Sequence, residues 1–263
     1  MSKIINDKYY TPIDVANYCI DKCIEIIGLE NIKDVIEPSC GNGSFFHHSV
    51  LKPSLGIDIK PEMNNAVIGD FLTYPLQYKA GRLIIGNPPY GERNDLSRKF
   101  MVRASEISDF VAFILPISQL DSPINNMYLE LIHSEDLGKH HYSGREIHCC
   151  FNIYRRTDDI QKMESSVPDI SIIRESQGGY ETFDFDVRMC RWGSGTVGKI
   201  LFNNDEHYAA EYKIKIHNQQ LYDRIYSTLT NTDWKTIAKS SAMCSLKKWQ
   251  IIKKTKRGYT RVE

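Results

Sequence analysis

The chain has 263 residues, with 33 Lys+Arg against 33 Asp+Glu and therefore a formal net charge of zero. Its length suits one large domain or two modest ones, and 41% hydrophobic with 25% charged residues excludes wholesale disorder. Taken whole, the zero charge argues against a nucleic-acid partner, and the longest apolar run, Phe110 to Ile117, falls far short of the roughly 20 residues that span a bilayer.

The charge is unevenly spread. Residues 1–150 hold 14 Lys+Arg and 19 Asp+Glu, a balance of −5, whereas residues 151–263 hold 19 and 14, a balance of +5. From Lys235 to Glu263 there are nine basic residues and one acidic one, interleaved with Trp249 and Tyr259. Zero is thus a cancellation, and binding follows the local field rather than the sum. Seven cysteines, an odd number without a Cys-x-x-Cys pair, indicate a reducing compartment. His140, His141, His148, Cys149 and Cys150 lie close in sequence, but their spacing fits no zinc pattern. Cys149 and Cys150 would also point to opposite faces of a strand, so no metal is expected.

In chain order, Pro12 to Gly28 reads as a helix, with Thr11 as N-cap, Pro12 in the first turn and Gly28 closing it. Apolar runs follow at Asp34–Pro38, Leu55–Ile59, Ala66–Asp70, Arg82–Asn87 and Phe110–Pro116, and again at Cys149–Arg155. Near-continuous Val/Ile/Leu segments of this length are strands buried on both faces of a parallel sheet. Ser44–Leu51 and Leu96–Ile107 are of crossover-helix length. The expected fold is α/β, a Rossmann-like doubly wound sheet whose ligands bind beyond the carboxyl ends of the strands. Arg156–Pro168 reads as a boundary, giving a first domain at 1–157 and a smaller mixed α+β region at 158–263. Within that region Phe183–Met189 and Tyr212–Ile216 alternate as half-solvated strands, and Gln219–Leu229 looks helical.

The chemistry-bearing residues fall at strand ends. After the first strand, Glu37-Pro38-Ser39-Cys40-Gly41-Asn42-Gly43 supplies a turn whose backbone approaches a ligand closely, under an expected helix N-terminus. It is neither a full dinucleotide fingerprint nor a P-loop. Asp58, followed by Ile59, ends the second strand and can accept from ribose hydroxyls, while Asp70-Phe71 offers a carboxylate and an aromatic face to an adenine. Each acidic strand end taken singly is a helix cap or turn residue; as an ordered set they describe a nucleoside-containing cofactor across the strand ends. Asn87-Pro88-Pro89-Tyr90 closes the fourth strand. Two prolines fix this backbone, so the Asn87 carboxamide oxygen and the Pro88 carbonyl can converge on one amino group while Tyr90 stacks on its ring.

These residues resemble the N6-adenine DNA methyltransferases that use S-adenosylmethionine, in the gamma arrangement, over about residues 9–155. The resemblance implies that Tyr9-Tyr10-Thr11-Pro12 contacts the methionine end of the cofactor and that Glu37–Phe45 is the cofactor loop. It assigns Asp58 and Ile59 to the ribose side, Asp70 and Phe71 to the adenine, and Asn87, Pro88, Pro89 and Tyr90 to catalysis, with Asn87 also bordering the cofactor. Phe151 is similar in place to an aromatic holding the extruded base, and is equally readable as core. The implied partner is double-stranded DNA, with no membrane and no metal, as monomer or homodimer, in a bacterial cytoplasm or that of a phage host. Restriction-modification is one setting for such an enzyme.

The region after 158 carries no signature. Order and charge assign it to DNA, with Lys247, Lys248, Lys253, Lys254, Lys256 and Arg257 as phosphate contacts. RNA adenine or protein glutamine is the rival substrate, and a catalytically silent cofactor-fold binding protein is the rival of another class.

Overall fold

A computed structural model gives the fold and describes residues 10–122, 127–142, 145–161, 167–202, 208, 210–238 and 245–257. The chain divides into two compact units, Met1–Lys162 and Met163–Glu263. The division falls beyond residue 157 because the last strand of the first unit runs on to Gln161.

In the first unit seven strands form one sheet: β1 (Asp34–Glu37), β2 (Leu55–Asp58), β3 (Val67–Ile68), β4 (Arg82–Gly86), β5 (Phe110–Pro116), β6 (Met127–Tyr142) and β7 (Arg145–Gln161). Their spatial order is β3-β2-β1-β4-β5-β7-β6. Neighbours from β3 to β5 are parallel, whereas β7 is antiparallel to both β5 and β6. The fold is Rossmann-like. The order reverses between β1 and β4, and such a switch point opens a crevice outside the strand ends.

Two helices, α1 (Ile13–Ile27) and α2 (Asp95–Ile107), bury opposite faces of this sheet. Val15, Cys19, Ile20 and Cys23 of α1 pack with Leu83, Ile85, Ala112, Ile114, Cys149 and Phe151. Phe100, Met101, Ala104 and Ile107 of α2 pack with Ile84, Val111, Phe113, Leu115 and Cys150. Successive strand residues thus alternate between two apolar cores, which is why these strands read as unbroken apolar runs.

Two local expectations are corrected and one strand is new. Pro12, not Thr11, is the N-cap of α1, and no side chain caps it; the Thr11 hydroxyl is used elsewhere. Ser44–Leu51 is not a helix but a single 3-10 turn at Ser44–His47. His48 stops it: its Nδ1 accepts from Val50 and Leu51 amides at 3.3 and 3.1 Å, and its Nε2 pairs with Asp21 of α1 at 3.0 Å. Finally, β6 was not anticipated, because an edge strand bonded on one side and broken by three register shifts carries a polar, irregular sequence.

In the second unit β8 (Ile170–Arg174), β9 (Val187–Cys190) and β10 (Glu211–Ile216) form an antiparallel sheet in the order β8-β10-β9. Helices α3 (Tyr222–Asn231), α4 (Trp234–Ile237) and α5 (Lys248–Arg257) accompany it, and Ile225, Leu229, Trp234, Ile251 and Ile252 pack on Met189, Tyr212, Ile214 and Ile216. Residues 183–186 lie outside the strand expected there. Nor is β10 half-solvated: Lys213 is buried, its ammonium donating to the Tyr180 carbonyl at 2.7 Å and lying 4.3 Å from that ring's centre. The alternation of Lys with Ile here marks two covered faces, one apolar and one lined by aromatic rings and a carbonyl.

Candidate active site

The loop after β1 and the loop after β4 meet at the switch point. Gly41 and Gly43 adopt φ of +50° and +81°, left-handed values that favour glycine. The Gly41 amide donates to Asp58 Oδ2 at 2.9 Å and the Lys60 amide to Asp58 Oδ1 at 2.7 Å. Asp58 therefore ties the glycine loop to the end of β2, and each oxygen keeps a lone pair for a further donor. Beside it Ile59 is 73% exposed, an apolar surface with no neighbour to bury it. Because only a 3-10 turn follows Gly43, the loop does not have the helix N-terminus expected of it.

Glu37, the last residue of β1, is 3% exposed, and its Oε2 has no hydrogen-bond partner among the described residues. Burial, with the Asp58 charge adding, holds its carboxyl well above the usual carboxylate range. Gly86 lies alongside it: a Cβ there would stand 3.4 Å from both Glu37 Cγ and Pro38 Cδ, at van der Waals contact. A buried, unpaired carboxyl costs free energy unless a cation or donor meets it. Burial pushes the neighbouring Cys40 thiol up to about 12, so it is no nucleophile at neutral pH.

The Tyr10–Pro12 segment joins these parts. Tyr10 donates its hydroxyl to Glu62, and its ring is the nearest group to a Cβ built on Gly41, at 3.5 Å. The Thr11 carbonyl accepts from Ser44 Oγ at 2.6 Å. The Thr11 hydroxyl accepts from Asn87 Nδ2 at 3.2 Å, while Ser39 Oγ donates to the Asn87 carbonyl at 3.3 Å. With its amide nitrogen held by Thr11, Asn87 turns its Oδ1 away from that bond as an acceptor. Pro88 is buried, and Tyr90 rests half-buried on the α1-side core with its hydroxyl 3.4 Å from Cys149 Sγ. Tyr9 lies outside the described residues.

Two aromatic positions are buried. Phe71 is 1% exposed and packs on Phe100 with ring centres 5.3 Å apart, so it offers no face to an adenine. Its neighbour Asp70 is exposed and accepts from the Leu72 amide at 3.0 Å, which turns the chain and carries Phe71 inward. Phe151 is fully buried, paired across β7 with Ile114 of β5, and is a core residue rather than a clamp on a base. Apolar aromatics beside motif residues carry no sequence mark separating core from ligand face.

The histidines and cysteines near the β6–β7 turn do not converge. Cys149 and Cys150 enter opposite cores, and His148 Nε2 meets Asp136 at 2.6 Å. No group of three or more metal-capable side chains occurs among the described residues, and no helix there is long and apolar enough to cross a membrane. Sequence reasoning missed Glu62 and Cys149, whose roles depend on contacts 52 and 59 residues distant in the chain.

Of the basic residues near the C-terminus, Lys247 and Lys254 are exposed and Lys253 is half-buried. Lys248 is committed internally, donating to the Ile172 carbonyl at 2.8 Å and Gln177 Oε1 at 2.9 Å. Its ammonium is desolvated, which lowers its pKa, and it holds α5 to β8 rather than offering a free cation. Lys256 and Arg257 end α5, and their side chains lie outside the described structure.

No family model matches the chain, and neither does any curated protein. Among solved structures it is similar to a candidate RNA methyltransferase from Pyrococcus horikoshii, at 18% identity over 57% of this chain and 87% of that one, with a TM-score of 0.43. It is also similar to a candidate class I S-adenosylmethionine-dependent methyltransferase from Listeria monocytogenes, at 12% identity over 62% and 66% of the two chains, TM-score 0.46. A third is the magnesium protoporphyrin IX methyltransferase of Synechocystis, at 12% identity over 55% and 78%, TM-score 0.35.

Proposed function

We propose that the chain is an S-adenosylmethionine-dependent methyltransferase acting on the N6 amino group of adenine in double-stranded DNA. The observation that carries this reading is Asn87, held at the end of β4 with its amide nitrogen on Thr11, beside a glycine loop bordered by carboxylates. Glu37 and Asp58 end β1 and β2, Asp70 follows β3, and Glu62 lies on the β2–β3 connection with its amide on the Gly41 carbonyl at 2.9 Å. Such a set suits a ligand bearing positive charge and ribose hydroxyls, and the unpaired Glu37 Oε2 fits an ammonium group.

S-adenosylmethionine supplies an electrophilic methyl group on a sulfonium. Glu37 would hold the ammonium, Asp58 the ribose hydroxyls, Ile59 one face of the adenine and Asp70 its amino edge. The chain's own task is to raise the nucleophilicity of an amine whose lone pair is delocalised into a ring. Asn87 Oδ1 and the Pro88 carbonyl accept its two N–H bonds, favouring a pyramidal nitrogen and stabilising the positive charge that develops on it. Tyr90 stacks on the ring, and the base must leave the duplex to reach it. The proton lost afterwards passes to water.

Incubation with methyl-labelled S-adenosylmethionine and, separately, adenine-unmethylated DNA, RNA and protein extract tests the reading. Label on DNA adenine supports it; label on RNA or protein glutamine selects the rival substrates. Cofactor binding without transfer to any of them selects a silent binding protein. Asn87→Ala abolishes transfer and keeps cofactor binding; wild-type turnover by that variant removes Asn87 from the mechanism.

A further inference from the structure

A tyrosine on a turn after two prolines is free to swing about its Cα–Cβ bond, and a base stacking on it would have to order it first. Tyr90 is instead tethered at both ends.

Its backbone end is set by α2. Gly91 adopts φ of +68°, and a Cβ there would lie 2.7 Å from Leu96 Cβ, so glycine is required where the chain folds back from Tyr90 onto the helix. That fold lets the Tyr90 carbonyl accept from the Leu96 and Ser97 amides at 3.2 and 3.4 Å, two donors that the first turn of α2 leaves without an intrahelical partner.

Its ring end is set by β7. Cys149 pairs with Pro116, the last residue of β5, and so stands level with the carboxyl end of that strand, on the face that α1 covers. Cys149 is fully buried, and its sulfur lies 3.4 Å from the Tyr90 hydroxyl while the tyrosine ring packs on the same core. A half-buried hydroxyl needs a partner, and a thiol supplies a weak one that is apolar enough to sit among valine and isoleucine. With the backbone and the hydroxyl both held, what remains is rotation about the long axis of the ring, which packing against the core opposes.

We propose that Cys149 is a positioning residue for methyl transfer, holding the Tyr90 ring through its hydroxyl in the orientation on which the target base stacks. The inference rests on the methyl-transfer reading above and adds to it the group that orients the stacking surface. A ring fixed in advance raises the fraction of complexes in which the amine meets Asn87 and Pro88 in line.

The test is a double-mutant cycle on single-turnover methyl transfer to adenine-unmethylated DNA, with cofactor affinity and Tm measured in parallel. Cys149→Ala and Tyr90→Phe each slow transfer about threefold, the low end for one side-chain hydrogen bond because sulfur is a weak partner, and leave cofactor affinity unchanged. In the Tyr90→Phe background, Cys149→Ala adds almost nothing, because the contact it would break is already gone. A merely structural cysteine would slow transfer by the same factor whether residue 90 is tyrosine or phenylalanine, and that result overturns the proposal, as does a wild-type rate in Cys149→Ala.

A second measurement needs no Cys149 variant. Alkylation of Cys149 by iodoacetamide, located by mass spectrometry, is several-fold faster in Tyr90→Ala than in the wild type, while Cys23, buried in the same core, stays protected in both. Equal Cys149 labelling in the two proteins means that the ring does not seat on the sulfur and overturns the proposal. If the wild type methylates DNA adenine and the two substitutions act independently, only this inference fails. If the wild type transfers methyl to no acceptor, the underlying reading fails and the role of Cys149 falls with it.

Discussion

Replacing Thr11 by valine isolates the bond that orients the Asn87 carboxamide, the group proposed to be catalytic. Valine keeps the volume and β-branching of threonine and leaves the backbone carbonyl that accepts from Ser44 Oγ at 2.6 Å. What disappears is the acceptor for Asn87 Nδ2, 3.2 Å away. Without it the carboxamide turns, and for part of the time presents its nitrogen where Oδ1 should meet the adenine amine. One net side-chain hydrogen bond is worth about 0.5–1.5 kcal/mol, so the methyl-transfer rate falls roughly 2- to 12-fold. Single-turnover transfer under saturating cofactor and DNA measures that rate without product release, and titration of the demethylated cofactor measures binding separately. The expected pattern is a reduced rate, cofactor affinity within about twofold of wild type, and recovery by Thr11→Ser. An unchanged rate refutes the argument. A loss confined to cofactor affinity would make Thr11 a cofactor contact instead.

Three more outcomes follow from the same contacts. Because Glu37 titrates above its ordinary value in the folded chain, cofactor-free protein loses stability as pH rises from the usual carboxylate range toward the folded value. Glu37→Gln removes that dependence, seen as a smaller fall in Tm as pH rises above the ordinary carboxylate range, together with weaker cofactor binding. Phe71→Ala costs about 3–5 kcal/mol of stability in denaturant unfolding, as a buried ring packed on Phe100 should, and a purely kinetic defect would put Phe71 back in the cofactor site. Lys248→Met destabilises the second unit by about 1–3 kcal/mol through loss of the bonds to the Ile172 carbonyl and to Gln177 Oε1, the latter still accepting from the Arg174 amide, whereas Lys254→Ala leaves Tm unchanged and lowers only DNA affinity.

What was legible in the sequence was legible for local reasons. Strands β1, β2, β4 and β5 stand out because burial on both faces removes polar residues from the whole run. The glycine turn and the Asn87–Tyr90 string stand out because backbone constraints are written in residue type. Phe71 and Phe151 could not be assigned from sequence because an aromatic ring is equally suited to a core or to a stacked base, and only its neighbours decide. Thr11 failed as a cap for a similar reason: its hydroxyl had a partner 76 residues away that no local rule reveals.

The sequence by itself determined the α/β class, the places where the chain must turn, and the opposed charge balance of its halves. Periodicity, glycine and proline act within a few residues, so they can be read without knowing what lies across the sheet. Only the tertiary structure decided that β7 runs against its neighbours and that Asn87 is oriented by Thr11. It alone shows that Lys248 is spent internally while its neighbour Lys247 stays exposed. Those are outcomes of long-range pairing, and whether a charge meets solvent or a carbonyl depends on the strand laid beside it.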